Sequence, residues 1–418
     1  MEISELYKIY TKHPVICTDT RKIKAGGIFF ALRGSNFNGH KFVNTAINKG
    51  CEFAIIEDEK YYINDKSIIV KNVLKTLQNL AKYHRQKLSI PIIGITGSNG
   101  KTTSKELIYS VLKSEKNCYA TKGNLNNHIG VPLSLLNITN DHGIAIIEMG
   151  ANHMKEIEFL CEITKPTHGV ITNIGSAHLE GFKNIEGVID AKNELFNFIK
   201  KSNGSLFVNN DDSLLVQLSE NIKKESYGIN SKLNISIDNN TPFLSLIWNK
   251  KKITSNLIGD YQFYNISLAI CIGKYFNIDQ KNIQSAIEAY IPKNNRSEIK
   301  ATKNNLLIMD AYNANPASME AMINSFAHQN YTNKLCILGD MFEMGDFSNK
   351  EHRKIIETCQ KLDLETIFVG EEFSKLNKQA FKKLADLKKF IHKNPIKNKT
   401  ILLKGSRGIK LETLTSFL

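Results

Sequence analysis

No uninterrupted apolar run in the sequence approaches the ~18 residues that a membrane-spanning helix needs. The first ten residues alternate Glu and Lys with apolar side chains, whereas a secretory leader needs a basic start followed by an apolar stretch. The expectation is a cytoplasmic protein with no membrane insertion. Prolines are few, eight in 418 residues, and hydrophobic residues make up 42%; wholesale disorder is excluded and there is ample material for cores. The seven cysteines are scattered, odd in number and never spaced C-x-x-C. That argues against a disulfide framework and a zinc site and fits a reducing compartment.

What the chain has in excess is positive charge. Its 55 Lys+Arg against 41 Asp+Glu give +14, which raises nucleic acid, membrane surfaces and polyanionic small molecules as partners. Lys, Asn and Ile are plentiful throughout, the basic residues read as dispersed rather than striped, and no nucleic-acid module is recognisable, so no nucleic-acid partner is expected. At about 150 residues per domain the length suggests roughly three domains.

The pattern along the chain divides accordingly. Residues 1–88 read as a small α/β unit with apolar runs Ile28–Leu32 and Phe53–Ile56, closed by helical spacing from Val73 to His84. Over 89–294, β-type runs at Ile92–Ile95, Ile144–Ile147, Val170–Ile174 and Leu206–Val208 alternate with helical patterns, predicting βαβ units and a mainly parallel sheet. From about Ser226 to Asn256 short alternating strands suggest an antiparallel addition. Residues 295–418 alternate again, with strands expected at Leu306–Met309, Leu335–Leu338, Thr366–Val369 and Ile401–Leu403. The fold class is therefore α/β: a small N-terminal domain, a central P-loop domain and a C-terminal Rossmann-like domain.

The sharpest chemical signal is Ile92-Ile93-Gly94-Ile95-Thr96-Gly97-Ser98-Asn99-Gly100-Lys101-Thr102-Thr103, a buried strand, a glycine loop, and then an amphipathic helix. Backbone N–H groups of Gly97, Ser98, Asn99 and Gly100 can curl around phosphate oxygens, Lys101 can reach the β/γ-phosphates, and Thr102 can ligate Mg²⁺. Ile95 stands where the generic G-x-x-x-x-G-K-[ST] motif has its first glycine. Glu148 at the end of its strand places a carboxylate at the carboxyl edge of the sheet, where open α/β sheets bind ligands, and it could hold the metal. By the same argument His178 sits at that edge and could complete a second metal site, bond a phosphate or simply pack. Gly123 to Gly130, with Asn124, Asn126 and Asn127, and Asp310 to Pro316 could hydrogen-bond polar ligands or be turns.

Together these stretches resemble the Mur ligase family, ATP-dependent amide ligases of peptidoglycan synthesis, whose own loop variant is T-G-[ST]-N-G-K-T. Thr18-Asp19-Thr20-Arg21, Gly27 to Gly34, Asn38-Gly39-His40, Tyr312 to Pro316, Leu338 to Gly345 and Lys404 to Gly408 resemble the members that join D-alanyl-D-alanine to UDP-N-acetylmuramoyl-tripeptide. Sibling ligases and folylpolyglutamate-type enzymes match those stretches less well, and a P-loop ATPase switch is the alternative from another class.

The resemblance implies roles residue by residue. Lys101 and the loop through Thr103 would bind ATP, Thr102 and Glu148 would hold one Mg²⁺, and His178 would help bind a second. Lys192 matches the lysine that most of the family carries as a carboxylated, anionic side chain. Asn265 resembles the base-contacting asparagine, although Tyr261 and Gln262 replace His and Asn of the usual G-x-H-N-x-x-N. Arg296 matches an arginine that approaches the phosphates, and Asp310 and Asn313 match positions near the ribose. Thr20, Arg21, Arg33 and Asn38 match the part that holds the uridine diphosphate. Asn124, Asn126 and Asn127 lie where the sugar-peptide approaches, with His128 in a place often taken by Glu. Asp340, Lys404, Ser406 and Arg407 are candidates for peptide and dipeptide contacts. A monomer is expected.

Overall fold

The computed structural model describes residues 1–176 and 179–418. Three α/β layers follow one another along the chain. The first is built on a four-stranded parallel sheet in the order Ile16–Cys17, Ile28–Phe30, Phe53–Ile56, Ser67–Ile69. Parallel strands are covered on both faces and therefore read as continuous apolar runs; Ile28, Phe29 and Phe30 are all buried.

The second layer holds a six-stranded parallel sheet in the order Lys224–Tyr227, Ser205–Asn209, His168–Ile171, Ile92–Thr96, Ile144–Glu148, Cys118–Ala120. The phosphate-loop strand Ile92–Thr96 sits where the chain changes direction across the sheet, with His168–Ile171 on one side and Ile144–Glu148 on the other. A crevice opens at such a switch point, beyond the carboxyl ends of the strands. The antiparallel addition is present but starts later than the alternation suggests: Lys224–Tyr227 joins the parallel sheet, and the separate three-stranded sheet is Ile235–Asn239, Ser245–Trp248, Lys251–Thr254. The third layer has five strands in the order Glu298–Ala301, Leu306–Asp310, Thr400–Lys404, Lys334–Gly339, Thr366–Val369, all parallel except the first.

Buried polar contacts lock the layers together. The Tyr10 hydroxyl donates to Leu136 O at 2.6 Å, and the Arg85 guanidinium donates to Thr164 O, Leu88 O and Lys165 O. Burying a guanidinium is tolerable when its donors are satisfied, so Arg85 joins the helix Val73–Lys87 to the central layer through backbone carbonyls. Among the described residues no helix is long and apolar enough to cross a membrane.

Candidate active site

The strand Ile92–Thr96 delivers the chain into a loop that only glycine can form at two positions. Gly97 has φ 146° and a Cβ there would lie 2.0 Å from Thr172 Oγ1; Gly100 has φ 76° and a Cβ would lie 2.8 Å from Asn265 Oδ1. The left-handed backbone and the close approach together make glycine the default residue. The loop is clamped from the segment after His168–Ile171: Asn99 N donates to Asn173 Oδ1 at 3.0 Å, Thr172 Oγ1 donates to Asn99 O at 2.6 Å, and Ser98 Oγ donates to Gly175 O at 2.9 Å. The helix Lys101–Lys113 then points its amino terminus into the crevice, a ready anion site.

Lys101 folds over this loop and donates to Gly97 O at 2.5 Å and Ser98 O at 3.2 Å. Burial pushes its pKa down to about 8; Glu148 opposes the shift and the charge of Arg296 adds to it. Glu148 is buried at the end of Ile144–Glu148, where it accepts from Thr102 Oγ1 at 3.0 Å and from Asn126 Nδ2 at 2.9 Å. Lys105, one helical turn after Lys101, is fully buried, donates to Thr121 O at 2.6 Å and lies 3.6 Å from Glu148 Oε2. A carboxylate and a hydroxyl that meet at the crevice are hard oxygen donors of the kind Mg²⁺ takes while keeping several waters. Among the described residues no group of three His, Cys, Asp or Glu forms a metal cluster.

The last layer closes the crevice. Asn315 caps the helix Pro316–His328, and its Nδ2 donates to Asn99 Oδ1 at 2.8 Å, reaching the phosphate loop across 216 positions of sequence. Arg296 stacks its guanidinium 3.7 Å from the centroid of the Tyr312 ring, and Arg407 approaches the same ring at 5.2 Å with Nη1 3.4 Å from the hydroxyl. One aromatic ring thus holds two cations that would otherwise repel. The cavity between the layers, open to solvent, measures about 1010 Å³ and is lined by Ser98 to Ser104, by Asn124, Asn126 and Asn127, by Glu148 and Asn265, and by Arg296, Asp310, Asn313 and Lys404.

Three Mur ligase profiles match the chain in register: the family's catalytic domain over 14–93, the middle domain over 95–273 and the glutamate ligase domain over 295–407. The UDP-N-acetylmuramoyl-tripeptide–D-alanyl-D-alanine ligase of Buchnera aphidicola subsp. Baizongia pistaciae is 36% identical, covering 96% of this chain and 91% of its own. The chain belongs to the Mur ligase family. The Bacillus subtilis ligase of the same name is 31% identical over 96% of this chain and 92% of its own. Among solved structures, MurF from Acinetobacter baumannii aligns with a TM-score of 0.84 at 29% identity, covering 96% of this chain and 92% of that one. MurF from Thermotoga maritima in complex with ADP gives 0.82 at 25%, covering 98% and 97%.

The remaining residues singled out in this Mur ligase sequence divide into those at the cavity and those that support it. Asn265 is buried beside Gly100, but its amide is already bonded: Oδ1 accepts from Ser104 Oγ at 2.8 Å and Nδ2 donates to Gln262 Oε1 at 2.6 Å. Asn127 turns its Oδ1 to the amides of Ile129 and Gly130. Asp310 accepts from Ser297 N at 3.1 Å and is ion-paired with the buried Lys404. Lys192 lies on the helix Ile185–Lys201 and is 1% exposed. Its ammonium faces the Phe182 ring at 5.2 Å, and burial, with the Lys101 charge next, pushes its pKa down to about 7. Its neighbour Glu194 instead accepts from Lys155 N and Glu158 N.

Asp340 and Ser406 bond to backbone. Asp340 accepts from Glu372 N at 2.9 Å and Phe373 N at 3.0 Å, capping the helix Glu371–Leu376, and Ser406 Oγ accepts from Phe342 N at 2.9 Å. Both hold the loop that carries Glu343 to the cavity wall. Thr20, Arg21, Arg33 and Asn38 lie on the first layer, outside the cavity lining. There Arg21 pairs with Asp19 at 2.8 Å, Arg33 with Asp58 at 3.0 Å, and Asn38 accepts from His40 N. His178 lies outside the described residues. Sequence reasoning missed Lys105 as a site residue and gave Tyr312 and Asn315 no roles of their own within the stretch Asp310 to Pro316. For Lys105 the signal was its i+4 spacing from Lys101 on one helix face; for Asn315 it was the Asn-Pro step that opens a helix.

Proposed function

We propose that this protein joins D-alanyl-D-alanine to UDP-N-acetylmuramoyl-tripeptide, converting ATP to ADP and phosphate, in peptidoglycan precursor synthesis. The observation that carries the reading is the nearly full-length likeness to ligases of that name, on a chain whose phosphate loop opens into a cavity walled by its last layer. The tripeptide's terminal carboxylate attacks the γ-phosphorus, the bond to the β–γ bridging oxygen breaks, and ADP leaves. The dipeptide amine then attacks the acyl carbon of the acyl phosphate and loses a proton as phosphate departs.

Such a transfer depends on positioning and on neutralising charge. Lys101 and the loop amides supply this from the central layer, and Arg296, steadied by Tyr312, from the last. Drawing them together couples closure of the crevice to exclusion of water from the acyl phosphate. Glu148 and Thr102 would hold Mg²⁺, which when bound neutralises phosphate charge; His178 and Lys192 would serve a second ion. A lysine whose amine is neutral near pH 7 can add to CO₂ and lose a proton, giving an anionic carbamate, and burial of Lys192 favours that neutral amine. Residues 1–88 would hold the UDP end through Thr20, Arg21, Arg33 and Asn38, 89–294 the ATP, and 295–418 the dipeptide side, in a cytoplasmic monomer.

Phosphate release from ATP should require both the UDP-sugar tripeptide and D-alanyl-D-alanine. Release without them, or release stimulated by DNA or RNA, would replace this reading by a P-loop ATPase switch. A ¹³C carbamate resonance after labelling with ¹³C-bicarbonate, absent from Lys192→Met, tests the modification.

A further inference from the structure

The basic residues are not dispersed everywhere. Residues 378–399 carry eight lysines and one acid, Asp386, so their net +7 is half of the chain's +14. The rest of 295–418 holds twelve basic and thirteen acidic side chains. The excess of this layer therefore lies in one stretch, which composition bias alone does not produce.

Folding displays that stretch on one surface. The helix Leu384–Lys393 buries Leu387 and Ile391 and partly buries Leu384 against the last sheet. The i, i+3, i+7 spacing of those apolar residues turns Lys383, Lys389, Phe390 and Lys393 outward, and Lys378, Lys382 and Lys397 are exposed on the flanking segments. Among the described residues these six lysines have no carboxylate within ion-pair distance; Glu365 is taken by Lys399, and Glu372 by Lys375. Two exposed aromatic rings accompany these lysines: Phe390, 42% exposed, on the helix itself, and Phe417, 38% exposed, whose ring lies 5.3 Å from Lys388 Nζ. None of these residues lines the cavity.

We propose that this face docks the protein on the surface of an anionic phospholipid bilayer. Clustered lysines are attracted to an anionic leaflet within a Debye length, and exposed aromatic rings between them can settle at the headgroup boundary. The stretch has no arginine, hence none of the planar forks that grip nucleic-acid phosphates bidentately. It is a helix with its flanking segments and lines neither of the cavities, whereas single-stranded nucleic acid follows a groove.

The test uses the full-length protein, sedimented with vesicles of equal phosphatidylglycerol and phosphatidylcholine and with phosphatidylcholine alone. Binding is expected to the anionic vesicles only, to weaken at least about tenfold in the K382E/K383E/K389E/K393E variant, and to vanish near 1 M salt, where the Debye length falls to about 3 Å. Ligation activity in vesicle-free buffer should be unchanged, which shows the variant to be folded. Because the native Trp248 is buried, F390W reports on the face directly, and its emission should shift to the blue on anionic vesicles. Equal binding to both vesicle types, undiminished binding by the quadruple variant, unshifted F390W emission, or tighter binding to a single-stranded RNA than to the anionic vesicles would overturn the proposal.

Discussion

Lysine does two opposite things in this protein, at the central crevice and on the outer face of the last layer. Around the crevice Lys105, Lys192 and Lys404 are buried and Lys101 is partly buried with its ammonium desolvated, while the lysines of 378–399 are mostly solvated and unpaired. The four at the crevice differ again among themselves. Lys105 and Lys404 have carboxylates beside them, Glu148 and Asp310. Among the described residues Lys101 and Lys192 have none within ion-pair distance, and it is these two whose pKa values burial pushes down, to about 8 and about 7. A buried cation that is paired organises structure; one left unpaired costs stability and is available for chemistry.

That contrast can be broken experimentally. The largest effect is expected at Lys101→Ala, with kcat for phosphate release falling on the order of 10³-fold or more, since the group acts on charge that develops in transfer. Wild-type turnover in that variant would remove Lys101 from the unpaired, chemical class. Next, Lys404→Met should lower unfolding free energy by about 3 kcal/mol in urea titrations, because it strands Asp310 beside a buried apolar group. Lys192→Met should be neutral or stabilising while losing activity, and equal destabilisation by the two substitutions would erase the distinction.

The pH dependence sharpens the same point. Between about 7 and its ordinary value of 10.5 the unfolded chain holds the Lys192 proton and the native protein does not. Stability from this group therefore rises with pH across that window, by up to about 1.4 kcal/mol per unit, and is flat below it. Urea midpoints for wild type and Lys192→Met should diverge in slope above pH 7; parallel slopes would mean that the ammonium is not desolvated. A smaller effect is expected at Tyr312→Leu, a rise of about tenfold in KM for ATP as Arg296 loses its platform, with Tyr312→Phe recovering most of it. Smallest of all, Lys389→Gln on the outer face should leave stability within about 0.5 kcal/mol and kcat unchanged.

Much of the crevice was legible because its parts are local. A buried strand, a glycine loop and Lys-Thr lie within twelve consecutive residues, and Glu148 and Asp310 announce themselves at strand ends. Asp340 and Ser406 show the limit of that reading. Their stretches match the family, yet their oxygens bond to the amides of Glu372, Phe373 and Phe342, which makes them supports of a loop. A carboxylate that caps a helix and one that faces a ligand look alike in sequence, because the difference lies in which backbone comes to meet it.

By itself the sequence determined the three α/β layers, the phosphate loop and the charge of each residue, since periodicity and turn chemistry act over a few positions. Only the tertiary structure decided which lysines lose water, that Asn315 meets Asn99, and that Tyr312 stands between Arg296 and Arg407. Those outcomes depend on which strands lie side by side and which faces are buried, and desolvation is a property of the surroundings, not of the residue.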